Sequence, residues 1–183
     1  MVPFSSSMAY SWHMNKRPID PFATYIWSNA PTPRCKHFLW LPHRVRLPSA
    51  ALLHRRNIVD HDQCAFCSAR EDQNHILLQC PKARKVWRLL NWLPCLSSFR
   101  DLWDLDGAPA DAEIASTFVT AVLWNIWKCH NAWLFDCRHQ TLEHTLHMAT
   151  DDLKLWLHRA STGDQLHSCN IVSFCLFPLV CML

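Results

Sequence analysis

From Pro33 onward the apolar positions fall at helical spacing in short runs, each opened or closed by proline. In PRCKHFLWLPHRVRL, Phe38 and Leu41 lie on one side and Arg34, Arg44 and Arg46 elsewhere, which predicts a helix opened by Pro33 and kinked or ended by Pro42. After Pro48, SAALLHRRNI reads as a second, shorter helix with Ser49 in its first turn and Leu52 and Leu53 turned inward. Pro81 opens a third, PKARKVWRLLNWL, where its missing N–H costs nothing. There Ala83, Val86, Trp87 and Leu90 follow i, i+3, i+4, i+7, and Arg84, Lys85 and Arg88 fall on the opposite face.

The pattern changes past the acidic DLDGAPAD, residues 104–111, which carries Gly107, Pro109 and the N-cap candidate Asp111. AEIASTFVTAVLWNIWKCHNAWLF is apolar nearly all round, as a central buried helix should be. Leu142, Leu146, Ala149, Leu153 and Trp156 then recur at spacings of 4, 3, 4 and 3, with Gly163 as a stop. Two antiparallel helices packed together are the simplest reading. Residues 1–24, with Pro18 and Pro21, show no sustained period and read as a loose leader. The expected fold is mainly α, a small helical module followed by a helical hairpin. Its segments are the leader, a module over 25–100, a linker over 101–111, the hairpin over 112–162 and an apolar tail over 163–183.

Composition supports this picture. Half of the 183 residues are apolar, enough for a real core, and only two are glycine, too few for a strand-and-turn protein. Ten cysteines suit a disulfide scaffold in a secreted chain, but MVPFSSSMAYSWHMNKRP has no apolar signal-peptide core, so a reducing, intracellular setting is expected. The closing IVSFCLFPLVCML is apolar for 13 residues, short of the roughly 20 that span a bilayer. It reads as a buried or disordered tail, and a truncated or read-through gene end also accounts for it.

The net charge of +3 conceals an asymmetry: residues 34–100 carry twelve Lys/Arg against four acids, and residues 101–183 carry four against ten. The basic block suits a polyphosphate partner, although a solvated basic face explains it too.

The chemistry concentrates in CAFCSAREDQNHILLQC, where Cys64, Cys67, His75 and Cys80 stand at C-x2-C-x7-H-x4-C. A C-x2-C turn places two thiolates on one side of a zinc ion, and His75 and Cys80 return to close a tetrahedron. All four positions are then protein donors, so the site is structural, leaves no place for a catalytic water, and makes the small helical module a zinc-knuckle module. Cys35, Cys95, Cys129, Cys137, Cys169, Cys175 and Cys181 have no such spacing and read as small buried hydrophobes or free thiols.

The surrounding pattern resembles the zinc-binding domain that follows reverse transcriptase in plant non-LTR (LINE-type) retrotransposons. It consists of Trp27, Ala30 and Pro31; Lys36, Phe38 and Trp40; Leu53 and Arg56; then Cys64, Cys67, Glu71, His75, Cys80, Pro81 and Trp87. The resemblance covers roughly residues 10–95. A weaker match continues through LWNIWKCHNAWLF, with His130 where arginine is usual. Pro42 and Pro48 depart from the pattern by replacing helix-friendly positions. The resemblance implies a Zn²⁺ cofactor, a role beside reverse transcription such as engagement of template RNA, nuclear residence, and a fragment of a longer polyprotein.

No enzyme is expected. ATDD, Ala149–Asp152, superficially matches the paired aspartates of reverse transcriptases but sits inside the second hairpin helix with no partner aspartate in a strand. HQTLEH, His139–His144, is one residue too long for an inverted metalloprotease motif, and His144 and His147, one turn apart, read as exposed helix histidines. Glycine is too scarce for a phosphate loop or a nucleophile elbow.

Two functions compete. In the first, a zinc-stabilised module binds RNA or DNA: Arg44, Arg46, Arg55, Arg56, Lys82, Arg84, Lys85 and Arg88 contact phosphates, and Trp40 or Phe66 stacks on unpaired bases. Trp27, Trp40 and Trp87, at helical spacing, read sooner as core. In the second, the chain is a zinc-held structural or protein-interaction fragment, its acidic half packed on the basic half or on a partner. A relic gene product without selected activity is a third reading. No membrane and no small-molecule substrate is expected.

Overall fold

A computed structural model describes residues 5–15, 17–18, 20–28, 30–90, 98, 101–102 and 112–160. The described chain is helical: α1 (Ser6–Met14), α2 (Pro21–Ser28), α3 (Pro33–His43), α4 (Ala50–Arg55), α5 (Pro81–Leu89), α6 (Ala112–Asp136) and α7 (Leu142–Ala160), with a single π-helical turn over His75–Gln79. Extended pairing among the described residues is limited to one bridge between Gln63 and Arg70. No helix among them is long and apolar enough to cross a membrane.

Proline and small side chains set the boundaries. Pro33 and Pro81 occupy first turns, where a missing N–H breaks no helical bond. Ser49 caps α4 by accepting from the Leu52 N–H at 3.3 Å. Pro42 sits in the last turn of α3, and the helix ends one residue later. The chain then reverses through Val45 at φ 55°, and the Pro42 carbonyl accepts from the Gln73 side chain at 2.9 Å. The stretch read as a loose leader instead holds α1 and the start of α2. None of α1 is buried, whereas Ile26 of α2 is 1% exposed and α2 packs on α3.

α6 is the central element. It packs against α7 along its length and against the π-turn and α3, which explains why its sequence is apolar nearly all round. Thr117, Val119, Thr120 and Leu123 are fully buried in it, and the α7 stripe of Leu146, Ala149, Leu153 and Trp156 is buried as the spacing required. One polar knot locks the pair: Asp152 accepts from the Asn125 side chain at 2.9 Å and from Lys128 at 3.1 Å. The ATDD motif therefore lies on α7, with Asp152 engaged in helix packing and Asp151 exposed beside His147 at 3.4 Å. The acidic DLDGAPAD segment, Cys95, Gly163 and the tail with Cys169, Cys175 and Cys181 lie outside the described residues.

Candidate metal centre

The centre is assembled from three pieces of backbone. The first is a tight turn after Cys64, in which the Ser68 N–H bonds the Cys64 carbonyl at 2.9 Å and the Cys64 N–H bonds the Ala69 carbonyl at 2.7 Å. Ser68 takes φ 57° to close it. The second is the π-turn. In an α-helix five residues rotate by about 500°, leaving positions 75 and 80 on different sides of the axis. Widening the turn brings them towards one side, and the Cys80 N–H bonds the His75 carbonyl at 2.7 Å, an i→i+5 bond. The third is the N-terminus of α5, which Cys80 caps.

These pieces gather Cys64, Cys67, His75 and Cys80 so that one donor atom of each lies within 4.8 Å of all the others. Tetrahedral zinc with Zn–S of about 2.3 Å sets its donors roughly 3.5–4 Å apart, so the cluster fits the ion. His75 turns Nε2 towards Cys67 Sγ at 3.3 Å, and its backbone N–H bonds Asp72 at 2.8 Å. Cys64, His75 and Cys80 are buried and Cys67 is half-buried. No other cluster of three or more His, Cys, Asp or Glu suited to a metal occurs among the described residues, which leaves His144 and His147 as exposed helix histidines.

The electrostatics suit a thiophilic dication. Burial pushes the Cys64 thiol up to about 12, against the Phe66 N–H that reaches its sulfur at 3.5 Å. Burial also raises Cys80, opposed by the backbone N–H groups of Lys82 and Ala83 at the start of α5. Thiols crowded in this way ionise only when a cation meets their charge, and a zinc ion supplies it while fixing the fold around it.

Residues 4–87 match the family model described as zinc-binding in reverse transcriptase. The matched segment carries the whole Cys3His cluster and ends within α5; α6 and α7 lie beyond it. No curated protein and no solved structure matches the chain. The family and the cluster together make zinc binding a property of this domain, in line with the resemblance drawn from the sequence.

The zinc-binding domain is also tied to α6 by a pair that spacing did not reveal. Glu71, 2% exposed, accepts from the Ala50 N–H at 3.1 Å on one oxygen and pairs through the other with His130 Nε2 at 3.0 Å. Burial works against the Glu71 charge, but the His130 and Ala50 contacts prevail and hold its carboxyl below the usual range. The signals were present: Glu71 belonged to the recognised pattern, and His130 stood where arginine is usual. Only the fold shows that these positions meet.

The basic residues are spread over three places. Arg44 and Arg46 follow α3, Arg55 and Arg56 end α4, and Lys82, Arg84, Lys85 and Arg88 belong to α5. All but Lys82 are exposed, and Lys82 lies over the Phe66 ring at 3.5 Å. None of the eight forms a salt bridge among the described residues. The tryptophans divide. Trp87 is core and donates to the Leu77 carbonyl at 2.9 Å, Trp40 is half-buried beneath Arg44, and Trp27, expected in the core, is 50% exposed beside Trp40.

Proposed function

We propose that this chain is a zinc-held, nucleic-acid-binding module derived from the reverse-transcriptase polyprotein of a plant LINE-type retrotransposon, acting on RNA or DNA without a catalytic site of its own. Cys64, Cys67, His75 and Cys80 are the ligands, and the ion is structural. The observation that carries the reading is the architecture of α5. Its first residue follows Cys80, its inner face buries Ala83, Val86 and Trp87, and its outer face presents Arg84, Lys85 and Arg88 to solvent. A metal at Cys80 thereby fixes the bearing of a basic helix face, which is what phosphate contact requires.

The competing reading has the acidic half neutralising the basic half within the molecule. The absence of ion pairs between the eight cations and α6 or α7 among the described residues favours the open basic face. The test is binding of the zinc-loaded chain to single-stranded RNA across a salt series. Affinity should fall steeply, with a log–log slope of about −0.7 per phosphate neutralised. A flat salt response would sink the proposal.

A further inference from the structure

A cavity of about 190 Å³ lies beside the metal centre, between α5, α6 and α7, and of the Cys3His cluster Cys80 alone lines it. Its walls include Phe66, Ile76, Val86, Ile126 and Leu142. A cavity of about 150 Å³ with such walls admits benzene, so this one has room for a single flat ring. Lys82 and the exposed Lys85 also line it, so the cavity meets the surface on the basic side of α5.

His130 lines the same cavity, and its Nδ1 is buried without a hydrogen-bond partner. Its Nε2 faces the Glu71 carboxylate at 3.0 Å, and a carboxylate can only accept. The ring proton therefore sits on Nε2, and in the neutral imidazole Nδ1 is a buried acceptor awaiting a donor. An apolar slot for one flat ring, a single buried acceptor and two ammonium groups at the rim together describe a heteroaromatic ring with an N–H edge, joined to a phosphate.

We propose that this cavity is a base-binding subsite for single-stranded nucleic acid: one unpaired base enters beside Phe66, its N–H edge donates to His130 Nδ1, and the adjoining phosphate lies on Lys82 and Lys85. The inference rests on the nucleic-acid reading above and adds a pocket to it. Every common base offers an N–H group on its pairing edge, so the subsite accepts unpaired bases and discriminates weakly among them. A base-paired duplex, whose edges are already engaged, is refused.

The test uses the zinc-loaded full chain with labelled RNA and DNA 12-mers and with strands of equal length and phosphate number built from abasic sugars. Base-bearing strands should bind at least about fivefold more tightly than abasic ones. Cys129, which also lines the cavity, reports occupancy in the unaltered protein: base-bearing strands at saturation should slow its alkylation, abasic strands should not, and exposed Cys137 should be unaffected by either. Equal affinities, or Cys129 protection that does not depend on the bases, would overturn the subsite while leaving phosphate contact in place. Failure of every strand to bind would overturn both readings.

Discussion

The segment from α3 to α5 and the hairpin of α6 and α7 solve the problem of holding a fold in different ways. The hairpin buries long apolar stripes, with Leu123 and Leu153 at 0% and 1% exposure, and needs one polar knot around Asp152. The knuckle has little regular structure between Arg55 and His75, and its chain is held by single polar contacts and the Cys3His cluster. Short segments that cannot bury enough apolar surface depend on a cross-link, and metal is the one available to a chain whose described cysteines are free. Glu71 and His130 add a buried polar link where the π-turn and α3 pack on α6.

The largest effect should come from the metal. Cys67→Ser or His75→Ala should abolish zinc retention and unfold the knuckle, forfeiting on the order of 10 kcal/mol of coupled binding and folding, while α6 and α7 keep much of their helicity. Zinc per chain and circular dichroism on the same samples check this, with Cys95→Ser, outside the pattern, keeping its zinc. A wild-type protein that folds without zinc would remove the contrast.

Next comes the opposite cut. Trp156→Ala in α7 removes a side chain that is 2% exposed and should cost about 3–5 kcal/mol in urea unfolding while one zinc per chain is retained. Loss of zinc in this variant would show that the knuckle leans on the hairpin for its geometry.

Glu71→Ala tests the joint between them. It leaves the Ala50 N–H and the buried His130 without their acceptor, and should cost about 1–3 kcal/mol; Glu71→Gln, which keeps an oxygen for Ala50, should cost less. If the joint couples the regions, calorimetry should resolve two transitions in Glu71→Ala where the parent shows one.

The smallest effect belongs to Asp20, which bonds His43 across the start of α2 and the end of α3. The hydrogen bond from His43 holds the Asp20 carboxyl below its usual value. A lowered carboxyl contributes stability that is fully present above its unfolded value and is lost as pH falls through the folded one. Asp20→Asn should therefore melt slightly below the parent at neutral pH, and the gap should close in acid. A gap that widens as pH falls would contradict the sign.

Much of this was legible in the residue order. Proline starts, Ser49 at the head of α4, the α5 faces and the α7 stripe are local features, written in residues a turn or two apart, and the Cys3His quartet announced itself by spacing. The π-turn was not legible, because HILLQ has nothing to distinguish it from an α-helical turn until His75, its first residue, and Cys80, just after it, must face one point. Helix α1 was missed because its side chains bury nothing, so no period marks it. Trp27 was misplaced because helical spacing gives the face of a residue but not whether anything packs against that face.

Sequence alone pointed to most of the helices, to the Cys3His quartet and to a zinc-binding domain, since each rests on short-range periodicity or donor spacing. Tertiary structure decided that Glu71 meets His130 across 59 positions, that α6 packs on both α7 and the π-turn, and that a cavity lined by His130 lies beside Lys82. Such contacts depend on how helices pack in space, and packing is chosen by the fit of whole surfaces rather than by any neighbourhood along the chain.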